Sequence, residues 1–189
     1  VSTAPSAVPS VASDGGSPAS GPGTAEATAG GLLLALVDAL PPGSRTDHYA
    51  ASPWTAVAAG HRQLGAQLYL TDSRGTGMVR VWLSTGTLAC APADGCRTDG
   101  AGRRTVVDHR PDNCVEDTTA TVDHGDGTLV TIQLSTCLGW SGSGNAPGIK
   151  ALTDDQALAL AGDPAFTLTM PGSRLSAAAA RFGTLPTFH

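Results

Sequence analysis

The sequence predicts an α+β domain: about five antiparallel strands in one sheet, an N-terminal helix and two C-terminal helices packed on it, and two disulfides. Three observations carry this. Alternating apolar and polar runs broken by Gly- and Asp-rich turns fill residues 66 to 136, apolar residues at helical spacing occur only on either side of that stretch, and all four cysteines lie between positions 90 and 137. Sequential strands bracketed by helices, with no strand–helix alternation, favour helices layered on one face of a twisted antiparallel sheet.

Composition agrees. The 189 residues suffice for one ordinary domain, and the 14% charged fraction is well below the usual quarter. Ten of the eleven cations are Arg and 14 of the 16 acids are Asp. Glu and Lys, which usually clothe exposed helices, are therefore scarce, whereas Asp, Gly, Pro and Thr favour turns, caps and strands. The net charge is −5 and no five-residue window is densely basic, which argues against nucleic acid as a partner. The longest apolar run, Leu32 to Val37, is far too short for a membrane span.

Residues 1–23 contain 14 Pro, Ser or Gly, one charge at Asp14, and no Leu, Ile or aromatic side chain. Such a segment buries too little surface to offset its ordering entropy, so it reads as a tail or tether ahead of a disulfide-stapled domain over 24–189. Its spaced Val1, Val8 and Val11 would suit docking into a partner's groove or sheet edge. Thr24 reads as a helix cap with Glu26 in the first turn, and Leu33, Leu36, Val37 and Leu40 recur at i, i+3, i+4 and i+7 before Pro41-Pro42-Gly43 stops the helix. Ser44 to Arg62 has no strong period, although Tyr49, Trp54 and Val57 require burial.

Strand alternation begins at Ala66–Leu70 and resumes at Met78–Leu83 across Asp72-Ser73-Arg74-Gly75-Thr76-Gly77, a first hairpin. Leu68, Leu70, Val79, Val81 and Leu83 should share the core face, with Gln67, Tyr69, Arg80 and Trp82 opposite. Arg103–His109 is a shorter strand, and the runs Ala120–Val122 and Leu129–Ile132 flank His124-Gly125-Asp126-Gly127 as a second hairpin. Thr153-Asp154-Asp155-Gln156 matches a capping box for a short helix ended by Gly162-Asp163-Pro164. Leu175, Ala178, Ala179 and Phe182 then form the stripe of a last helix, capped by Ser173 and closed by Gly183.

The four cysteines, Cys90, Cys96, Cys114 and Cys137, contain no CxxC and no familiar zinc spacing, so disulfides are the expected pairing. Cys114 and Cys137 are symmetric about the midpoint between Gly125 and Asp126. In a regular ladder they would face one another at the short Cβ separation an S–S bond needs. Were Asp126-Gly127 a two-residue turn instead, Cys114 would slip opposite Gly139 unless a bulge restored the pairing. Cys90 and Cys96 would then close a local loop. Two bridges place the chain in an oxidising compartment outside the cytoplasmic membrane. The start at Val1 rather than Met fits a leader or anchor already removed.

The segments Gln67–Met78, Asp112–Glu116, His124–Gly127 with Ser135–Leu138, and Leu152–Ala157 resemble the extracytoplasmic domains of uncharacterised, secreted or membrane-anchored actinobacterial proteins such as those of Streptomyces. The resemblance spans roughly residues 30–188. The Arg-over-Lys and Asp-over-Glu bias, with only two Ile, is of the kind a very GC-rich genome produces. What the resemblance implies is an envelope location; it brings no reaction and no catalytic residue.

No motif converges on catalysis. Asp108-His109 and Asp123-His124 are neighbours in sequence, and strand neighbours point to opposite faces. Trp140-Ser141-Gly142-Ser143 lacks the final Gly and the strand-to-helix context of a nucleophile elbow. Asp123, Asp126 and Thr128 offer oxygens to a cation but lack the remaining ligands and closing Glu of an EF-hand loop. Trp82 and Trp140 supply flat contact area suited to a binding surface. The sequence thus predicts a non-enzymatic binding domain, with no cofactor and no metal, presented on its tail and recognising a protein or envelope component. The alternatives are a structural subunit whose tail docks into a neighbour, and a hydrolase using His109 or His124.

Overall fold

The computed structural model describes residues 23–57, 60–91, 94–139 and 145–188. Its centre is a seven-stranded antiparallel sheet in the order β2(Arg45–Ala56), β3(Arg62–Asp72), β4(Gly75–Thr85), β8(Thr128–Ser135), β7(Thr118–Asp123), β6(Arg104–His109), β5(Arg97–Thr98). Two short ribbons accompany it, β1(Thr24–Glu26) with β11(Thr169–Pro171), and β9(Cys137–Leu138) with β10(Ala146–Pro147). Seven strands replace the expected five because β2 and β5 gave no periodic signal. The register of β2 shifts between Asp47 and Ala50 and again between Ser52 and Thr55, so its period of two is interrupted twice. Pro53 is tolerated inside it because β2 is an edge strand.

Among the described residues three helices complete the fold. α1(Ala29–Ala39) packs against β2, β3 and β4, α2(Asp154–Ala161) packs against β6, β7 and β8, and both cover the same sheet face. α3(Gly172–Phe182) packs chiefly on α1 rather than on the sheet. Leu32, Leu33 and Leu36 of α1 meet Leu64, Leu68, Val79, Val81, Val130 and Ile132 in one core, completed by Phe166 and Met170. Gly31 in the middle of α1 is required by a close approach: a Cβ there would stand 2.8 Å from Met170 Sδ. Tyr49 and Trp54 pack on this core, and Val57 remains exposed.

Two caps differ from expectation. Thr24 lies in β1, and α1 is capped by Thr28, whose Oγ1 accepts from the Gly31 N–H. α3 begins after Pro171 with no side-chain cap, so Ser173 lies inside it. The Thr153–Gln156 capping box of α2 is present in both directions, and Gly183 closes α3.

Both disulfides form as paired, Cys90–Cys96 and Cys114–Cys137, with Cα separations of 5.7 and 5.4 Å. The second is reached by a different route. Asp123 pairs with Leu129, so the β7–β8 hairpin is centred on Asp126, between the two registers considered, and the ladder ends at Thr118–Leu134. Cys114 lies beyond it, in a turn where Arg110 N–H meets Asp117 carbonyl. The Thr136 N–H, donated to the Cys114 carbonyl, brings the two sulfurs together.

Candidate functional site

The strand period places the polar set opposite the helices. Row by row across β3, β4, β8 and β7, Gly65 pairs with Trp82, Trp82 with Thr131, and Thr131 with Thr121. The adjacent row holds Gln67, Arg80, Gln133 and Thr119. Trp82, Thr131, Thr121 and Thr119 are all half-buried, so this part of the face is in contact with solvent.

Trp82 is held on three sides. Its Nε1 donates to Gln133 Oε1 at 3.0 Å, and Gln133 Nε2 donates in turn to the Val115 carbonyl at 2.8 Å. Ser135 Oγ donates to the same carbonyl. Phe188 meets the indole edge-to-face with centroids 5.4 Å apart. Gly65 lies beneath it, and a Cβ there would come within 2.6 Å of the indole, so the absence of a side chain is what lets Trp82 lie flat on β3. Phe188 reaches this face because residues 186–188 run parallel to β2, with Ala51 N–H donating to Pro186 carbonyl and Phe188 N–H to Ala51 carbonyl. That strap also satisfies part of an otherwise bare sheet edge.

Arg80 is the charged member. It is 6% exposed, its Nε donates to Gln67 Oε1 at 2.7 Å, and its guanidinium carbon lies 4.8 Å from the Phe188 centroid. Burial pulls its pKa below the usual guanidinium value, against the opposing influence of Glu116 and Tyr69. At the rim, the His48 ring stacks on Tyr69 at 4.6 Å, directed there by the β2 bulge at which His48 adopts φ 50°. A small apolar cluster of Met78, Val115 and Cys137 anchors the Cys114–Cys137 end of the face.

The histidines have other roles. His124 Nε2 lies 2.9 Å from the Ala161 carbonyl, so it caps the end of α2. His109 does meet an acid: Nε2 is 3.2 Å from Asp154 Oδ2, and Nδ1 is 3.1 Å from Thr118 Oγ1. This Asp–His–Thr line has no local sequence signal, because Asp154 belongs to α2. Thr118 is fully buried and also bonded to Asp117 and Lys150, so its hydroxyl is not open to a substrate. The line ties α2 to β6 and β7.

The Asp123 carboxylate is engaged by the protein's own donors. Its burial would raise its pKa, but N–H groups of Leu88 and Gly125 and the Arg104 guanidinium outweigh that and hold the carboxyl below the usual range. Among the described residues no cluster of three His, Cys, Asp or Glu side chains is arranged to hold a metal. No described helix is long and apolar enough to cross a membrane.

Of the residues singled out for partner contact, Trp82 stands at the centre of the open face. Val1, Val8, Val11 and Trp140, and with Trp140 the Ser141–Ser143 segment, lie outside the described residues. Arg80 was placed on this face by periodicity, but its burial and the arrival of Phe188 were not signalled. No family model, no curated protein and no solved structure matches this chain.

Proposed function

We propose that this chain is a non-enzymatic, extracytoplasmic binding domain, carried on its N-terminal segment, which meets a protein or envelope component through the sheet face centred on Trp82. The observation that supports it is the asymmetry of the sheet: one face is sealed by α1 and α2, while the other keeps a half-buried row of Trp82, Thr131 and Thr121. A rigid aromatic set among small hydroxyls, on strands rather than loops, provides contact area at low entropic cost. The two disulfides fit an oxidising setting, and the Cys114–Cys137 bridge locks the turn that borders the face. The catalytic alternative is disfavoured by the burial of Thr118 and by the capping role of His124.

Site-specific photocrosslinking in the producing cell tests this. With p-benzoylphenylalanine at Thr121 or Thr131, a discrete adduct is expected that persists when residues 1–22 are deleted; the same probe at the exposed Ser176 of α3 should give none. Adducts from Ser176 alone, or none from the sheet positions, would refute the reading. Adducts that vanish with the tail would favour a docked-tail subunit instead.

A further inference from the structure

A cavity of about 400 Å³ lies between Leu175, Ala178 and Ala179 of α3, Pro53 of β2, and Leu185 just ahead of the C-terminal strap. A second opening, of about 440 Å³, shares Leu175 and Ala179 with it and reaches Gly23 and Thr24. The two form one groove beside α3, from Gly172 at one end to Gly183 at the other. Among the described residues that line it there is no Lys, Arg, Asp, Glu or His. The strap brings main chain to the Gly183 end. Pro186 and Phe188 use their carbonyl and N–H on Ala51, so the N–H and carbonyl of Thr187 between them point away from β2. Thr187 lines the cavity, and neither of these groups is paired among the described residues. An unpaired edge beside an apolar groove accepts an extended chain by strand addition.

The chain's own N-terminal segment begins at the mouth of this groove. Gly23 lines the Gly172 end and its carbonyl accepts from the Gly172 N–H at 2.9 Å. The 11 residues of α3 cover about 16 Å at 1.5 Å per residue, which about five residues of extended chain span. The stretch immediately before Gly23, Ser17-Pro18-Ala19-Ser20-Gly21-Pro22, is uncharged and has no side chain larger than Pro, which suits a shallow groove walled by Ala and Leu. Alone such a segment buries too little surface to offset its ordering; the groove supplies the missing surface. We propose that Ser17–Pro22 docks along α3 of its own chain, with the main chain at Ser17 meeting Thr187. The tether would then leave the domain beside Gly183 instead of at Gly23, which fixes the angle at which the domain is presented.

The test is nuclear magnetic resonance on the full, isotope-labelled chain. Nuclear Overhauser effects are expected between Pro18 or Ala19 and the methyl groups of Leu175 and Ala179. Ala19→Glu places a charge in the uncharged groove, and the Thr187 amide should then exchange with solvent about tenfold faster than in wild type. Ala179→Glu, at an exposed position of α3, should remove the Overhauser effects from the other side. No effect between residues 17–22 and α3, or equal Thr187 exchange in wild type and Ala19→Glu, would overturn the docking. So would contacts seen only between labelled and unlabelled chains in a mixed sample, which would assign the groove to a second copy. A photolink between Ser176, which borders the groove, and the chain's own segment adds no mass, so the Ser176 control above stands. None of these outcomes bears on crosslinking from Thr121 or Thr131.

Discussion

Asp123 shows how much one side chain organises. It closes the β7–β8 turn through the Gly125 N–H, holds the segment after β4 through the Leu88 N–H, and pairs with Arg104. Asp123→Ala leaves those donors without an acceptor, and should cost about 1–3 kcal/mol in urea unfolding at neutral pH. Its folded pKa lies below the unfolded value of about 3.9. Its stabilisation is therefore complete above the unfolded pKa and fades as pH falls through the folded one, so wild type and Asp123→Ala should converge in stability in strong acid. A gap that stays constant down to that range would show that the carboxylate's charge is not what matters. Gly65→Ala tests the seat of Trp82: displacing the indole should cost about 1–3 kcal/mol and change the protein's tryptophan emission. Unchanged stability and emission would mean the ring does not depend on that seat.

At the scale of elements, legibility followed periodicity. The strands β3, β4, β6, β7 and β8 could be read because their alternation is unbroken, and the core face Leu68, Leu70, Val79, Val81 and Leu83 came with them. β2 was unreadable because two register shifts and Pro53 interrupt it. The capping box of α2 is local chemistry and was legible; Thr153→Ala should cost about 1 kcal/mol, measurable by the same urea titration. The start of α1 was misplaced because Thr24 and Thr28 are both acceptable caps, and only pairing of Thr24–Glu26 with β11 decides between them. The Trp82–Arg80 face was half legible: period two placed its strand residues, whereas Phe188 arrives from the far end of the chain, with no local pattern to announce it.

For the whole molecule, the two bridges join sequence to compartment. Loop-closure entropy assigns about 3 kcal/mol to the Cys114–Cys137 bridge, with 23 residues of separation, and about 2 kcal/mol to Cys90–Cys96, with six. The double replacement Cys114→Ala/Cys137→Ala should therefore destabilise the fold by the larger amount, and should loosen the turn that carries Val115 over the open face. An oxidised domain with one sealed face and one open face is the physical content of the proposal, and the oxidation state is its most accessible part. Peptide mapping under non-reducing conditions, on protein alkylated at the moment of isolation from its native source, tests it most directly. Cys90 should be recovered linked to Cys96 and Cys114 linked to Cys137, with no alkylated cysteine; alkylated thiols at these positions, or Cys90 recovered with Cys137, would contradict an oxidised domain paired in this way.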